Sequence, residues 1–123
     1  MELKKQYGLF IGGQWVPASD GKVFETRNPA NGELLSVCAE ASEADVDAAV
    51  QAAQTAFPRW KETTNAERAA LLNKIADAID ANAALLASVE SQDTGKPIRE
   101  AAAIDIPTAA DQFRYYAGLI RGE

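Results

Sequence analysis

The sequence contains no histidine and only one cysteine, Cys38, and these two shortages exclude much catalytic chemistry. Without histidine there is no imidazole to activate a serine or cysteine nucleophile. A single cysteine permits no internal disulfide, which fits a reducing cytoplasm. No glycine-rich loop follows a predicted strand, so the phosphate-binding signature of a dinucleotide site is also missing. We therefore expect no complete active site within these 123 residues.

Basic residues and long apolar runs are also scarce. Lys and Arg number 12 against 18 Asp and Glu, which gives a net charge of −6, and the basic residues are scattered. Nucleic-acid binding needs clustered positive charge, so no nucleic-acid partner is expected. No run approaches the ~20 apolar residues of a membrane span. The first seven residues lack the apolar core of a signal peptide. The composition predicts a cytoplasmic globular protein with no membrane partner.

The N-terminal part has the pattern of short strands. Two apolar runs, residues 9–11 and 14–16, flank Gly12 and Gly13, a strong hairpin signal because glycine tolerates the positive φ of such turns. Residues 23–26 and residues 34–40 are predicted as further strands, separated by a loop rich in turn formers.

From Ser42 onward the pattern is helical, and about five helices are predicted. The predicted boundaries are Ser42 to about Pro58, Thr64 onward with Glu67 completing a capping box, Asn82 to Thr94, a short helix from Pro97, and a last helix from about Pro107 to Arg121. The second helix should bury an apolar stripe consisting of Leu71, Leu72, Ile75, Ala76 and Ile79. The fold class is therefore α/β overall and α+β within this segment, with a β-hairpin and short strands before the helices.

Several motifs together resemble the aldehyde dehydrogenase superfamily. In order they are FIGGQW at 10–15, NPANGE at 28–33, DVDAAV at 45–50, AFPRW at 56–60, DTGKP at 93–97 and RYYAG at 114–118. The resemblance covers essentially the whole chain from Leu9 onward. It implies that residues 1–123 form the N-terminal segment of a discontinuous, Rossmann-like cofactor-binding domain that is incomplete here, with the catalytic and oligomerisation regions absent.

The resemblance also implies a chemistry for the parent protein. Family members oxidise an aldehyde to a carboxylic acid with NAD or NADP: a cysteine thiolate attacks the carbonyl, hydride passes to the nicotinamide, and a glutamate activates the water that releases the acid. By resemblance, these groups and the main dinucleotide contacts lie beyond Glu123. We expect a homo-oligomeric parent enzyme with a small-molecule aldehyde as substrate. No cofactor is expected on the isolated chain, which should be inactive.

Cys38 is predicted to be structural rather than nucleophilic. Its neighbours Leu35, Val37 and Ala39 are apolar or small, and no basic residue adjoins it to lower the pKa of the thiol. We accordingly predict no catalytic residue and no cofactor-binding residue in this chain.

Asp93 has two interpretations. As a carboxylate before the Thr94-Gly95 turn, it can stabilise that turn through local hydrogen bonds. The resemblance instead implies a monovalent cation held by Asp93 together with carbonyls near Thr26 and Arg27, and hard oxygen ligands suit such an ion.

Ile104, Thr108 and Gln112 share one face of a predicted helix. The simpler interpretation is one packed or partly exposed helix face. The resemblance implies that this face helps to line the tunnel through which the aldehyde reaches the nucleophile.

A different class of function stays open, a small non-catalytic helical module that binds a partner. The intact mass of the source protein would separate the two: a species near fourfold larger than 13.1 kDa favours the enzyme, and one of 13.1 kDa favours the module.

Overall fold

The computed structural model describes residues 3–122, which form two compact units, residues 3–62 and residues 63–122. The first unit contains five strands and one helix: β1 (Gln6–Tyr7), β2 (Leu9–Ile11), β3 (Gln14–Val16), β4 (Val23–Arg27), β5 (Leu34–Ala39) and α1 (Glu43–Lys61). The second contains α2 (Asn65–Ala81), α3 (Ala83–Thr94), α4 (Ile98–Glu100), a π-helical turn (Ala101–Asp105) and α5 (Ile106–Gly122). Strands thus precede helices, as predicted.

The predicted hairpin is confirmed. β2 and β3 pair antiparallel with Phe10 opposite Trp15, and their side-chain rings lie 5.1 Å apart. Gly12 and Gly13 connect the strands with φ angles of 60° and 82°. Two consecutive positive φ angles twist the loop in the sense that matches the strands, and only glycine adopts them without steric cost.

A three-stranded sheet has the order β1-β5-β4. β4 and β5 are antiparallel neighbours and confirm the two predicted strands, whereas β1 pairs parallel with β5 and was not predicted. β1 has only two residues, too few to show a periodicity. Near the end of β4 the register slips by one residue between Thr26 and Arg27, which marks a β-bulge.

Helix α1 begins as its sequence predicts. The Ser42 side chain accepts a hydrogen bond from the Asp45 N–H, and the Asp45 carboxylate accepts one from the Ser42 N–H, so the capping box is complete. Pro58 lies in the last turn, as predicted, although the helix continues for three more residues, to Lys61. Its missing N–H removes one helical hydrogen bond, and little helix remains beyond it to be disrupted.

The prediction of about five helices needs correction, because the structure has four helical runs in residues 43–122. Residues from Ile98 to Gly122 form one continuous run, with no restart at Pro107. Proline lacks an N–H and its ring collides with the carbonyl four residues earlier. Here the preceding turn widens into a π turn, in which the Ile106 N–H donates to the Ala101 carbonyl five residues back. The widened turn accommodates Pro107 without ending the helix.

Small residues form the buried contact between α2 and α5. Each helix buries two alanines seven residues apart, Ala69 and Ala76 on α2 and Ala110 and Ala117 on α5. Residues seven apart lie on the same face of a helix, and alanine allows the two helices to approach closely. Leu71, predicted to be buried, is instead 43% exposed, because the alanines occupy the contact face.

Two other local predictions concern α3. Gly95 ends this helix in a left-handed conformation with φ of 79°, as predicted. Asn82 precedes the helix but makes no side-chain cap; its amide donates instead to the Ala78 carbonyl in α2. The backbone of Asn82 is not extended, since α2 and α3 meet directly at this residue, and an extended backbone is what an N-cap side chain requires. Within the described part of the chain, no helix is both long and apolar enough to cross a membrane.

Candidate functional site

Cys38 lies in the middle of β5, half-buried, with Phe24 of β4 and Tyr7 of β1 as its cross-strand neighbours. Both flanking strands therefore present an aromatic residue beside it. Cys38 is a free cysteine and lies in a sheet. It does not lie at a helix N-terminus, where thiolates are stabilised. This position agrees with a structural role.

The residues of the predicted cation site lie in different units. Thr26 and Arg27 end β4 at the bulge, and the Arg27 guanidinium donates to the Glu25 carboxylate at 2.6 Å and to the Gly32 carbonyl at 2.9 Å. Asp93 lies in the last turn of α3 and is exposed. No group of three or more acidic, cysteine or histidine side chains comes together among residues 3–122. The cation site stays a prediction.

The turn that follows Asp93 contains hydrogen bonds from the side chains of Ser91 and Thr94. The Thr94 hydroxyl donates to the Glu90 carbonyl at 2.7 Å and accepts a hydrogen bond from the Lys96 N–H at 3.2 Å. The Ser91 hydroxyl donates to the Lys96 carbonyl at 2.7 Å. Side chains of Ser91 and Thr94 therefore satisfy the backbone carbonyl and N–H of Lys96, just past the end of α3.

The three predicted tunnel residues occupy one exposed side of the last helical run. Ile104 lies in the π turn and is 59% exposed, while Thr108 and Gln112 lie on α5 and are also exposed. The buried alanines of this run, Ala101 and Ala110, lie on the other side, toward the rest of the unit. An isoleucine this exposed is available to contact another molecule or another segment of protein.

A cavity of about 340 Å³ lies beside this side of α5, lined by Leu72, Gln112, Phe113 and Tyr116. Of the predicted tunnel residues it includes only Gln112. Leu72 comes from α2, so the cavity marks a gap along the outer edge of the α2–α5 contact. The sequence could have identified Phe113 and Tyr116 as lining residues. They lie three residues apart, and that spacing places two aromatic rings on one helix face.

Two basic residues of the second unit, Lys96 and Arg114, form ion pairs. The Lys96 ammonium lies 2.6 Å from the Asp105 carboxylate, and this hydrogen bond raises the pKa of Lys96. The Arg114 guanidinium lies 2.6 Å from Asp80 and 2.9 Å from Asp77, and the hydrogen bonds to Asp80 and then Asp77 raise the pKa of Arg114. The paired residues lie 9 and at least 34 residues apart in the chain, so the sequence alone does not identify the partners.

A dinucleotide does not fit the described residues. Such a site needs a strand that leads through a glycine-rich turn into a helix N-terminus. The single strand-to-helix connection in residues 3–122, from β5 to α1, consists of Glu40, Ala41 and Ser42 and contains no glycine. The Ser42 and Asp45 side chains already satisfy that helix end. No chemical step through a nicotinamide cofactor can be assigned to this chain's own residues.

Comparison with known proteins gives one consistent result. Residues 15–122 match the model of the aldehyde dehydrogenase family. A probable aldehyde dehydrogenase of Mycobacterium tuberculosis is 50% identical over 123 residues, all of this chain and 24% of that protein. Acetaldehyde dehydrogenase 2 of Cupriavidus necator is 48% identical over 120 residues, 98% of this chain and 24% of that protein.

A solved structure agrees in three dimensions. The NAD+ complex of an aldehyde dehydrogenase from Bacillus cereus superposes with a TM-score of 0.90 at 47% identity, over 94% of this chain and 24% of that one. The chain thus spans about a quarter of the length of the relatives that it matches.

Proposed function

The chain belongs to the aldehyde dehydrogenase family and corresponds to an N-terminal portion of its members, and on that premise we propose that it is part of an enzyme that oxidises an aldehyde to a carboxylic acid with NAD+ or NADP+. One observation carries the proposal: nearly the whole of this chain matches about a quarter of each of two longer dehydrogenases. The parent enzyme acts in the cytoplasm as a homo-oligomer on a small-molecule aldehyde, and this chain alone is inactive.

The described residues support a scaffold role for this segment. The half-buried thiol of Cys38 lies between two aromatic residues in the sheet, and the described part of the chain has no dinucleotide turn. Nucleophile, water-activating glutamate and cofactor contacts would then come from the remaining three quarters of the enzyme. Binding of NAD+ by the related Bacillus cereus enzyme supports a nicotinamide cofactor for the parent.

Two sites within the segment would serve that enzyme. One is a monovalent cation site formed by Asp93 with backbone carbonyls near Thr26 and Arg27. The bulge at Thr26 and Arg27 supports it, because a bulge interrupts the regular ladder and re-aims backbone groups. The other is the wall of the aldehyde tunnel, formed by Ile104, Thr108 and Gln112. The exposure of this face supports that role, since a tunnel wall must be free to face a ligand.

Activity measurements on two proteins test the proposal. The full-length protein that carries this segment should reduce NAD+ or NADP+ when it is mixed with a panel of aliphatic and aromatic aldehydes. The 123-residue chain should show no turnover under the same conditions. Turnover by the chain that survives Cys38→Ala would refute its assignment as a non-catalytic part. Turnover that Cys38→Ala abolishes would instead identify Cys38 as a nucleophile.

A full-length protein with no activity toward any aldehyde would contradict the enzyme proposal. If the native protein also had a mass of 13.1 kDa, the segment would be a non-catalytic helical module.

A further inference from the structure

Helix α1 carries an apolar seam, a line of exposed side chains spaced alternately four and three residues apart. The α1 seam consists of Val46, Val50, Ala53, Phe57 and Trp60. Its four large side chains are 53%, 52%, 58% and 44% exposed in chain order, and Ala53 is exposed as well. Alternating steps of three and four keep apolar side chains on one line of a helix, the pattern by which two helices pack side by side. The seam is therefore suited to a second helix.

The side chains of the seam differ in size from one end to the other. Valine and alanine occupy its first half, and the rings of Phe57 and Trp60 occupy its last turns. A second α1 in the parallel direction would set each ring against its own copy. In the antiparallel direction, Phe57 of one copy faces Ala53 of the other, and Trp60 faces Val50. Large side chains then lie against small ones at both ends, as close packing requires, and the contact is the same from either copy.

The charges of α1 favour the same direction. Glu43 and Asp47 lie near the start of the helix, and Arg59 and Lys61 lie in its last turn. An antiparallel pair brings the acidic start of each helix beside the basic end of the other, with Asp47 close to Lys61. A parallel pair would instead set like charges side by side. The two helix dipoles also attract each other only in the antiparallel direction.

The size of the seam limits the strength of such a pair. Two seams of this length, each about half exposed, bury on the order of 1,000 Å² in total, the lower end of the range for specific interfaces. Contacts of this size are weak and reversible. We therefore expect dimers at micromolar concentration and above, in exchange with monomers.

We propose that the α1 seam is a self-recognition surface, on which α1 of a second copy of this chain packs in the antiparallel direction. The pairing does not rest on the proposed function, because it uses neither a substrate nor a cofactor.

An exchange of two seam residues tests the direction and the alignment of the pair. Sedimentation equilibrium of the 123-residue chain gives the dimer Kd. Phe57→Ala removes a ring and should weaken the dimer. Ala53→Phe should also weaken it, by about tenfold, because two rings then compete for one place. The double variant, Ala53→Phe with Phe57→Ala, restores a ring against an alanine and should dimerise nearly as well as the wild type.

The single variant Ala53→Phe distinguishes this pair from non-specific association. Added apolar area strengthens association that has no fixed geometry, so such association would respond in the opposite sense. Ala48→Phe is the matched control, since residue 48 is exposed on the side of α1 opposite the seam and should leave the Kd unchanged. Ala53 and Phe57 are themselves exposed, so every variant should keep the helix content of the wild type, as far-ultraviolet circular dichroism checks.

A charge exchange provides an independent measurement. Asp47→Lys reduces the net negative charge of the chain and would favour non-specific association between copies. In the antiparallel pair it sets lysine beside Lys61, so it should weaken the dimer. Asp47→Lys combined with Lys61→Asp should restore the wild-type Kd. Residues 47 and 61 lie 14 residues apart on one helix, roughly 21 Å, so the restored interaction must be between copies.

Three outcomes would overturn the proposal. The first is a 123-residue chain that stays monomeric at millimolar concentration, which would leave the seam to a segment of the full-length protein. The second is a dimer that Ala53→Phe or Asp47→Lys strengthens. The third is an equal effect of Ala48→Phe and Ala53→Phe, because the position of the added ring would then not matter.

Discussion

The backbone N–H of Ser42 donates a hydrogen bond of 2.9 Å to the carboxylate of Asp45, one turn into α1. The same carboxylate accepts the Ser19 N–H at 3.1 Å from the connection between β3 and β4. Only 7% of Asp45 is exposed. These hydrogen bonds hold the pKa of Asp45 below its usual range, and the bond from the Ser42 backbone has the largest effect. One carboxylate therefore joins the start of α1 to a loop 26 residues away.

A lowered pKa makes the contribution of Asp45 to stability dependent on pH. The contribution is fully present above the unfolded pKa, near pH ~4, and is lost as the pH falls through the lower folded pKa. Asp45→Asn keeps the shape and removes the charge. We expect it to lower the urea midpoint at neutral pH and to flatten the decline of that midpoint below about pH 4. Urea titrations followed by circular dichroism at a series of pH values measure both effects.

Asp47→Asn is the control for Asp45, since Asp47 is an exposed carboxylate in the first turns of the same helix. It changes the net charge equally and should leave the pH dependence close to that of the wild type. Equal pH profiles for all three proteins would contradict the role of Asp45 at this junction.

Gly8 lies against β3 in the first unit. A Cβ atom at this position would be 2.6 Å from the Val16 carbonyl oxygen, closer than real Cβ contacts come. The obstacle is backbone, which cannot rotate away as a side chain can. Gly8→Ala should therefore destabilise the first unit by roughly 1–3 kcal/mol, the cost typical of overpacking. Chemical denaturation followed by tryptophan fluorescence reports this change, because Trp15 lies in β3.

Gly118→Ala provides the opposite case. Gly118 lies in α5, and beyond its own stretch of helix no atom comes within 4 Å of the place that an alanine methyl group would occupy. Its φ is not in the left-handed region. Alanine should stabilise this helix by roughly 0.5–1 kcal/mol, because glycine loses more backbone entropy on folding. If both substitutions had the same sign, the close approach at Gly8 would not be the determining feature.

Features set by neighbouring residues could be predicted from the sequence. The Gly12-Gly13 turn, the capping boxes at Ser42 and Thr64, and the end of α3 at Gly95 all depend on a few adjacent residues. Each combines a residue type with a fixed offset, so its physical cause is visible in the sequence itself.

Features set by distant residues could not be predicted. β1 pairs Gln6 with Val37, and no local pattern indicates a parallel partner so far along the chain. The π turn was missed because Pro107 usually ends or kinks a helix, and a widened turn needs support from the surrounding fold. The Asp105 partner of Lys96 lies across a loop and a turn. Of the candidate site, the sequence named the exposed face with Ile104 and missed the ion pair formed by the neighbouring Asp105.

Helix α1 presents an exposed apolar face. Val46, Val50 and Phe57 are 53%, 52% and 58% exposed. A contiguous apolar face of this kind drives association in water. The isolated chain should therefore self-associate at micromolar concentration and bind a hydrophobic dye. Val50→Lys should reduce both, as measured by sedimentation velocity and dye fluorescence. Gln51→Lys, the matched control on the next residue, adds the same charge outside the face and should reduce them less. A monomeric wild-type chain that ignores the dye would refute the prediction.

The response of the full-length protein to salt separates the two interpretations of Asp93, as a turn-stabilising residue or as a cation ligand. A cation held by Asp93 and the carbonyls near Thr26 and Arg27 would stabilise the folded state by mass action, by about 2.7 kcal/mol when the ion is present at 100 times its Kd. Sodium or potassium should then raise the melting temperature, and tetramethylammonium at equal ionic strength should not, because it is too large for an oxygen cage. Asp93→Asn keeps the shape of the side chain and removes its charge, so it should abolish the ion-specific part. Asp111→Asn, an exposed carboxylate on α5, removes one charge elsewhere and should preserve that part. Melting temperatures that are equal in all three salts, for the wild type and for Asp93→Asn, would leave Asp93 with the turn-stabilising role alone.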